Sequence, residues 1–552
     1  MTKRSAQNAS GFALPKLCGA DIELGNFIVG MERIGGTGYD ASHALIAEIK
    51  GLPLRPSSYF DSYWSAAPAA PKADEDARYE SCGPKTNSLY NPQDVSRRFL
   101  ASTGGSAYID LNHAELCLPE VVSAYDHLAA WHGMLTIART ALDSANEDRA
   151  AGEKIHVLVN NSDGLGHSYG SHLNFLISRR AFDEILFRKA HYLQFLASFQ
   201  VSSILLSGQG KVGSENGRPD TPYQISQRAD FFETLQGAQT TYNRPLVNAR
   251  DETLCGQLGN DDPSAPARWH VIFFDSALAH GSCLFRVGPM QLVLTLLELG
   301  HVNSKLILDD PLHALQLFSH DPTLKSRAAL INGQHMTALE LQCAFLNEVK
   351  RHAAQGVFEG VVPRFEDIIA LWEATLNKFV DNDLMSLAPR LDWVLKLMAI
   401  ERAMEQSPNL SWDSPQIKVI DHLYSSLDDD GLFRAYEASG FTEQLVTPER
   451  IAHFSTNPPS DTRAWTRTML LRRAIEDRVE VNTVDWDRIT FRIKGRHNWP
   501  SYRTIAIADP LGFTQAHAES IFDECSDFND LLDGLESLSV GDSTIHDTVA
   551  IN

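Results

Sequence analysis

The spacing of apolar residues changes along this chain, and that change limits the fold more than any other feature. Short strand-like runs are mixed with helices up to about Pro289, whereas beyond it the spacing is mainly three and four. Strands early and helices late predict an α+β architecture, a sheet backed by helices, rather than a regular βαβ alternation. Helices are expected over 41–49, 122–145, 182–199, 290–299, 338–353, 364–379 and 391–404. Strands are expected over 17–29, 107–110, 154–159, 202–207 and 269–274, the fourth ending in the glycine-rich stretch 208–213.

With 552 residues the chain exceeds what one core usually organises, so a large domain and a smaller one are expected. Residues 1–14 read as a loose leader and 15–456 as the main domain. Within it, 51–105 is rich in Pro, Ala, Ser and Gly and reads as a mobile insertion. The Asn457-Pro458-Pro459 stretch reads as a linker into a compact unit over 457–540, with a strand near 486–493, and 541–552 reads as a frayed tail.

A net charge of −22, spread along the chain, repels nucleic-acid phosphates and anionic lipid. The seven cysteines are dispersed, odd in number and form no CxxC pair, which argues against a zinc ribbon or a disulfide framework. The N-terminus lacks a signal-peptide core and no apolar run spans a bilayer, so a cytoplasmic location is expected, with no membrane or nucleic-acid partner.

Four segments concentrate polar residues at strand ends and tight loops. Asp21 and Glu23 lie two apart in 17–29, so a strand would put both carboxylates on one face, suited to a hard cation; an edge strand with its acidic side in water is the alternative. Asp110 ends an apolar strand, with Glu115 and Glu120 following; crowded carboxylates bind metal or separate one another's pKa values. Ser168, Tyr169, His172 and Asn174 form a dense polar row beside Gly164, Gly166 and Gly170. Arg228, Arg244, Arg250, Arg268 and His270 could assemble the positive pocket that a nucleotide needs in an acidic protein. Surface arginines paired with Asp230 and Asp251 are the alternative. No P-loop or complete Rossmann fingerprint is present.

Taken in order, 19–23, 110–120, 168–174, 224–230, 244–252 and 269–272 resemble the Pup ligase and Pup deamidase/depupylase family of carboxylate-amine ligases. The runs beginning at Gln224 (QISQRAD) and Arg244 (RPLVNARDE) carry most of that resemblance, with later echoes at 319–323, 390–393 and 458–463. The resemblance implies a glutamine-synthetase-like curved antiparallel sheet cradling ATP and Mg²⁺, helices behind it, and a small C-terminal domain. It implies Asp110 as the catalytic carboxylate, Asp21, Glu23 and Glu115 as metal ligands, and Arg228, His270, His172 and Arg250 as cofactor-binding residues. It also implies a Pup-like or other small protein tag as partner.

Four departures stand out, one being that the 51–105 region lacks the hydrolase's usual loop signature. Asp21 occupies a position that is usually Glu. Leu173 replaces a Glu and cannot coordinate a metal, and Ser425 and Ser426 stand where a histidine is common. Glu23 and Asp110 are 87 positions apart (110 − 23), a spacing like that of the deamidase, which carries an extra loop there. The expected activity is therefore deamidase/depupylase-like hydrolysis. An ATP-dependent ligase joining a tag or small acid to an amine, and a nucleotide-binding pseudoenzyme, remain the alternatives.

Overall fold

The computed structural model describes residues 13–30, 37–53, 96–252, 254–255, 262–494 and 500–541. A seven-stranded sheet carries the architecture. Its strands are β1 (Cys18–Glu23), β3 (Leu52–Pro53), β4 (Arg98–Phe99), β5 (Ser106–Asp110), β6 (His113–Cys117), β8 (Ser171–Ser178) and β13 (Pro266–Val271). They lie in the order β13-β8-β1-β6-β5-β4-β3, every neighbouring pair antiparallel. Smaller pairs surround it: β2 (Gly25–Ile28) with β7 (Ile155–Leu158), β9 (Lys211–Val212) with β10 (Tyr223–Gln224), β11 (Phe232–Gly237) parallel to β12 (Arg244–Asn248), and β14 (Arg327–Ala329) with β15 (His335–Thr337).

Period two sorts the central strands into two faces. Ala20, Ile22, Ala107, Ile109, Leu116, Leu173, Phe175, Trp269 and Val271 turn to one side and are buried in the main apolar cluster. Against that side pack the helices α1 (Thr37–Glu48), α2 (Ala124–Asn146) and α4 (His280–Glu298), and α3 (Ala190–Ser207) packs in turn against α4 and β12. α5 (Ala338–Ala353), α6 (Phe365–Val380) and α7 (Asp392–Gln406) close the layer behind them. Leu173 is 0% exposed. The position where a lost metal ligand was expected therefore faces the core, and leucine there removes nothing from the polar face.

Two expectations about elements fail for identifiable reasons. Residues 202–207 are the last turns of α3, not a strand. The helix is buried nearly all round, so its apolar run has no amphipathic period to distinguish it from a strand. Its serines satisfy their hydroxyls within the helix, Ser202 Oγ donating to Ser198 O (2.8 Å) and Ser207 Oγ to Ser203 O (3.0 Å). α4 begins at His280 and runs through Pro289, although the spacing suggested a start beyond the proline. Just before it, Asp392 accepts from Leu278 N (3.1 Å) and Ala279 N (2.9 Å), which ties the 390–393 segment to the start of this helix.

The inferred 51–105 insertion is too long, because Leu52–Pro53 and Arg98–Phe99 are strands of the central sheet. Its middle, 54–95, lies outside the described residues, as do 1–12 and 542–552. Leu14, assigned to the leader, is buried.

Toward the C-terminus, α8 (Ala464–Glu476), the antiparallel strands β16 (Glu480–Val484), β17 (Arg488–Lys494) and β18 (Pro500–Ala506), α9 (Gln515–Glu524) and α10 (Phe528–Gly541) gather around a second apolar cluster. Phe99 of β4 joins that cluster, so the two cores meet at the sheet edge.

Candidate active site

The face opposite the core carries the chemistry. Register sets Asp21 across from both Cys117 and His172, Glu23 across from Glu115, Tyr108 across from Glu115, Asp110 across from His113, and His270 across from Asn174. Asp21, Glu23, Asp110, Glu115, His172 and His270, read separately from the sequence, thus share one surface. Arg228 and Arg250 come from loops beside it.

Donor atoms of Asp21, His172 and His270 lie within 4.8 Å of one another, and so do those of Glu23, Glu115 and His172. His172 stands between the two sets, its Nε2 3.7 Å from Glu23 Oε1. Gly170 makes the approach possible. Its amide donates to Glu23 Oε2 at 2.7 Å, and a Cβ there would lie 2.3 Å from His172 Nε2 and 2.4 Å from Glu23 Oε1.

The electrostatics are those of a crowded acidic cleft beside buried cations. Burial raises the Asp21 and Glu23 carboxyls above their ordinary range. Glu115 is raised well above it by burial and then by Glu23, Asp21 and Asp110. Burial, followed by nearby arginines, holds the imidazoles of His172 and His270 well below their usual range, so both are neutral at pH 7. Neutral imidazoles and crowded carboxylates form a donor set for divalent cations.

Surrounding contacts orient these groups. Asn248 Oδ1 accepts from Arg250 N (3.0 Å), and its Nδ2 donates to Gln239 O (3.3 Å), which fixes the amide orientation. The 3.2 Å contact between that oxygen and His270 Nδ1 then puts the imidazole proton on Nδ1 and leaves Nε2 as a lone-pair donor. On the other flank Glu252 accepts from Arg268 (2.6 Å), Arg268 donates to Asn174 (2.7 Å), and Asn174 donates to Asp21 Oδ2 (3.2 Å).

Asp110 ends β5 at a tight hairpin. Leu111, at φ 51°, occupies the left-handed region, which costs on the order of 1 kcal/mol in a non-glycine residue. The conformation is held from below, where Asn112 O accepts from Ser42 Oγ (2.8 Å) and Asn26 Nδ2 (3.2 Å), and Asn26 Oδ1 accepts from Ala114 N (3.0 Å). Beside it, His113 Nδ1 donates to Leu24 O (2.8 Å) and its ring stacks on Tyr169 at 4.3 Å.

Arg228 is 1% exposed and donates to Ile272 O at 2.5 Å, while its Nε finds no acceptor among the described residues. Burial, then Arg244, lowers its pKa to about 9, and Glu23 partly offsets them. Asp275 shapes its loop by accepting from Gln209 N, Ser226 Oγ and Gln227 N, each at 2.9 Å. Arg250 sits at the rim, 39% exposed and 3.7 Å from Glu252. Among the described residues these arginines do not pair with Asp230 or Asp251: Asp251 pairs with Arg179 (2.7 Å), and Asp230 with Lys211 (3.1 Å) and His320 (3.0 Å).

Tyr108 and Cys117 went unnoticed in the sequence, although both face the cleft. Tyr108 stands across from Glu115, and Cys117 across from Asp21, in the strand register. The signal was available in the period, since each lies two positions from an acidic residue already chosen.

Comparison with known proteins bears on this arrangement. The family described as Pup-ligase protein matches residues 43–490. The chain is 33% identical over 440 residues to the Pup deamidase/depupylase of Mycolicibacterium smegmatis, covering 79% of this chain and 83% of that protein. It is 32% identical over 441 residues to the depupylase of Acidothermus cellulolyticus, with the same coverage. The Pup–protein ligase of Kribbella flavida is 31% identical over 431 residues, covering 76% of this chain and 87% of the ligase. Among solved structures, the Pup ligase PafA in complex with ADP superposes with a TM-score of 0.67 at 25% identity, covering 82% of this chain and 92% of that one. The complex between Pup and PafA gives 0.71 at 22% identity, covering 95% and 92%, and shows the shared fold. A family match across most of the sequence, over a sheet that gathers the same motifs on one face, means that this chain belongs to the Pup ligase family.

Proposed function

We propose that this protein is an ATP- and Mg²⁺-dependent enzyme acting on the side-chain carboxyl or amide of a glutamate or glutamine in a Pup-like tag, in the hydrolytic, deamidase/depupylase direction. The observation that carries the reading is the single sheet face on which Asp110 adjoins the carboxylates of Asp21, Glu23 and Glu115 and two neutral imidazoles. Relatives named depupylase and Pup deamidase/depupylase, and the ADP complex of the structural neighbour, support tag chemistry and a nucleotide.

Glu23 and Glu115 supply oxygen donors and would hold Mg²⁺, while Asp21, His172 and His270 would hold a second divalent cation. Cations held there would neutralise nucleotide phosphates and polarise the carbonyl under attack. Asp110, at the hairpin tip, acts as the nucleophile or takes the proton of the attacking water. Arg228 brings buried positive charge and N–H donors toward the charge that develops at the phosphate or carbonyl oxygen. Arg250, at the rim, meets the outer part of the nucleotide. The unit over 457–540 acts as a small domain bracing the edge of the sheet, and the site lies in the cytoplasm.

The ligase direction is the second reading, favoured by relatives named Pup–protein ligase at 31% identity. There ATP would activate the glutamate carboxyl as an acyl phosphate, and Asp110 would take the proton of the incoming amine. Peptides ending in Gly-Gly-Gln and Gly-Gly-Glu separate the two. Ammonia release and a 1 Da mass gain on the Gln peptide with ATP and Mg²⁺ support hydrolysis. ATP turnover only with the Glu peptide and an amine points to ligation. Neither reaction would refute both readings.

A further inference from the structure

Asp110 is followed by a leucine that core packing does not explain. Leu111 is the first residue of the two-residue turn between β5 and β6, set by the pairing of Asp110 with His113, and its φ of 51° lies where glycine is normally found. Its side chain is 64% exposed. Eight non-glycine residues among those described have positive φ, and three of them are apolar: Leu111, Leu324 and Phe513. Phe513 belongs to the second apolar cluster and Leu324 packs against the main one, so packing accounts for both. Of the three, only Leu111 turns its side chain to solvent.

Glycine or asparagine would adopt the same backbone at lower cost, and a polar side chain would leave less apolar surface in water. The turn is nonetheless firmly held, since Asn112 O accepts from Ser42 Oγ (2.8 Å) and Asn26 Nδ2 (3.2 Å). The leucine is thus presented at a fixed place on the rim of the cleft, one residue beyond the carboxylate assigned to the chemistry. What reaches that place is substrate on one side or the other of the bond under attack. A tag end of the Gly-Gly-Gln type has no side chain on the two residues before its glutamine and offers a leucine little apolar surface. The amine side depends on the substrate. A free carboxamide releases ammonia, which has no carbon, whereas an amide to a lysine side chain carries four methylenes that pack readily on an apolar surface.

We propose that Leu111 is a specificity-determining residue that packs against the alkyl chain of the leaving amine and favours an N-alkyl amide over a free carboxamide. The proposal rests on the hydrolytic reading of the cleft, and binding is measured apart from turnover so that each can fail alone. Two peptides ending in Gly-Gly-Gln are compared, one with the free side-chain carboxamide and one with an N-butyl group on it. Affinities are measured by calorimetry with ATP and Mg²⁺ in an Asp110→Asn background, which suppresses turnover. The N-butyl peptide is expected to bind more tightly. Leu111→Asn, which suits the backbone, should reduce that preference about 10-fold without lowering the melting temperature. Leu111→Met should keep it within about threefold. The same shift is expected in the ratio of the two kcat/KM values when Asp110 is intact. Equal losses for both peptides, an unchanged preference, or binding of neither peptide would overturn the contact. Loss of the preference in Leu111→Asn, when the wild type hydrolyses neither peptide, would uphold the contact while refuting the proposed function.

Discussion

Glu120, three residues beyond the end of β6, meets Arg467 of α8 at 2.6 Å in a buried ion pair that Arg463 joins at 2.7 Å. Arg467 also donates to Gly104 O (2.8 Å), in the turn that leads into β5. The two strands that carry Glu115 and Asp110 are thus tied, away from the cleft, to the C-terminal helices.

Acid should loosen this tie. Burial alone would raise the Glu120 pKa, but the two guanidiniums outweigh it and hold the carboxyl at about 2, against an ordinary 4.5. A depressed folded-state pKa gives stability that is fully present above about 4.5 and is lost as pH falls toward 2, roughly 3 kcal/mol in all. Glu120→Gln should therefore destabilise strongly at pH 7 and progressively less below pH 4.5, as read by urea unfolding across that range. An equal penalty at pH 7 and pH 3 would refute the linkage.

The carboxylates of the cleft carry the opposite sign. Because burial and its acidic neighbours raise Glu115 well above its ordinary value, its charge costs stability at neutral pH when no cation is bound. Glu115→Gln should raise the melting temperature of chelator-treated protein and reduce the further rise produced by millimolar Mg²⁺. A lower melting temperature in the metal-free state would contradict this.

Behind the sheet, Arg286 is 0% exposed. It donates to Ser171 Oγ (2.8 Å) and lies 4.3 Å from the Trp131 ring, but its Nε and Nη1 have no hydrogen-bond partner among the described residues. Leu173 lies two residues along β8 from Ser171, on the same core face. A glutamate at 173 would face the same core layer as that cation. Leu173→Glu should therefore cost much less in the native background than in Arg286→Met, with a coupling of about 2 kcal/mol or more in a double-mutant cycle. Additive penalties would rule out the contact.

Much of the cleft was legible because strand period is strict. Asp21 and Glu23, two apart, had to share a face, and the antiparallel neighbours then brought His172 and Glu115 opposite them. Leu173 was singled out by its departure from the family pattern alone, whereas strand period turns it away from His172 and into the core. The 202–207 run was misread because a helix buried all round has lost the amphipathic signal. The tie between Glu120 and Arg467 was out of reach, since nothing local joins residues 347 positions apart (467 − 120).

The central claim is tested most directly by following a Gly-Gly-Gln peptide by mass spectrometry with ATP and Mg²⁺, wild type beside Asp110→Asn, with ATP binding measured in parallel. The account predicts conversion by the wild type and a loss of at least about a thousandfold in the variant, with ATP affinity nearly unchanged. Undiminished conversion by Asp110→Asn would contradict the assignment of Asp110. Absence of both ATP binding and conversion in the wild type would contradict the proposed activity itself.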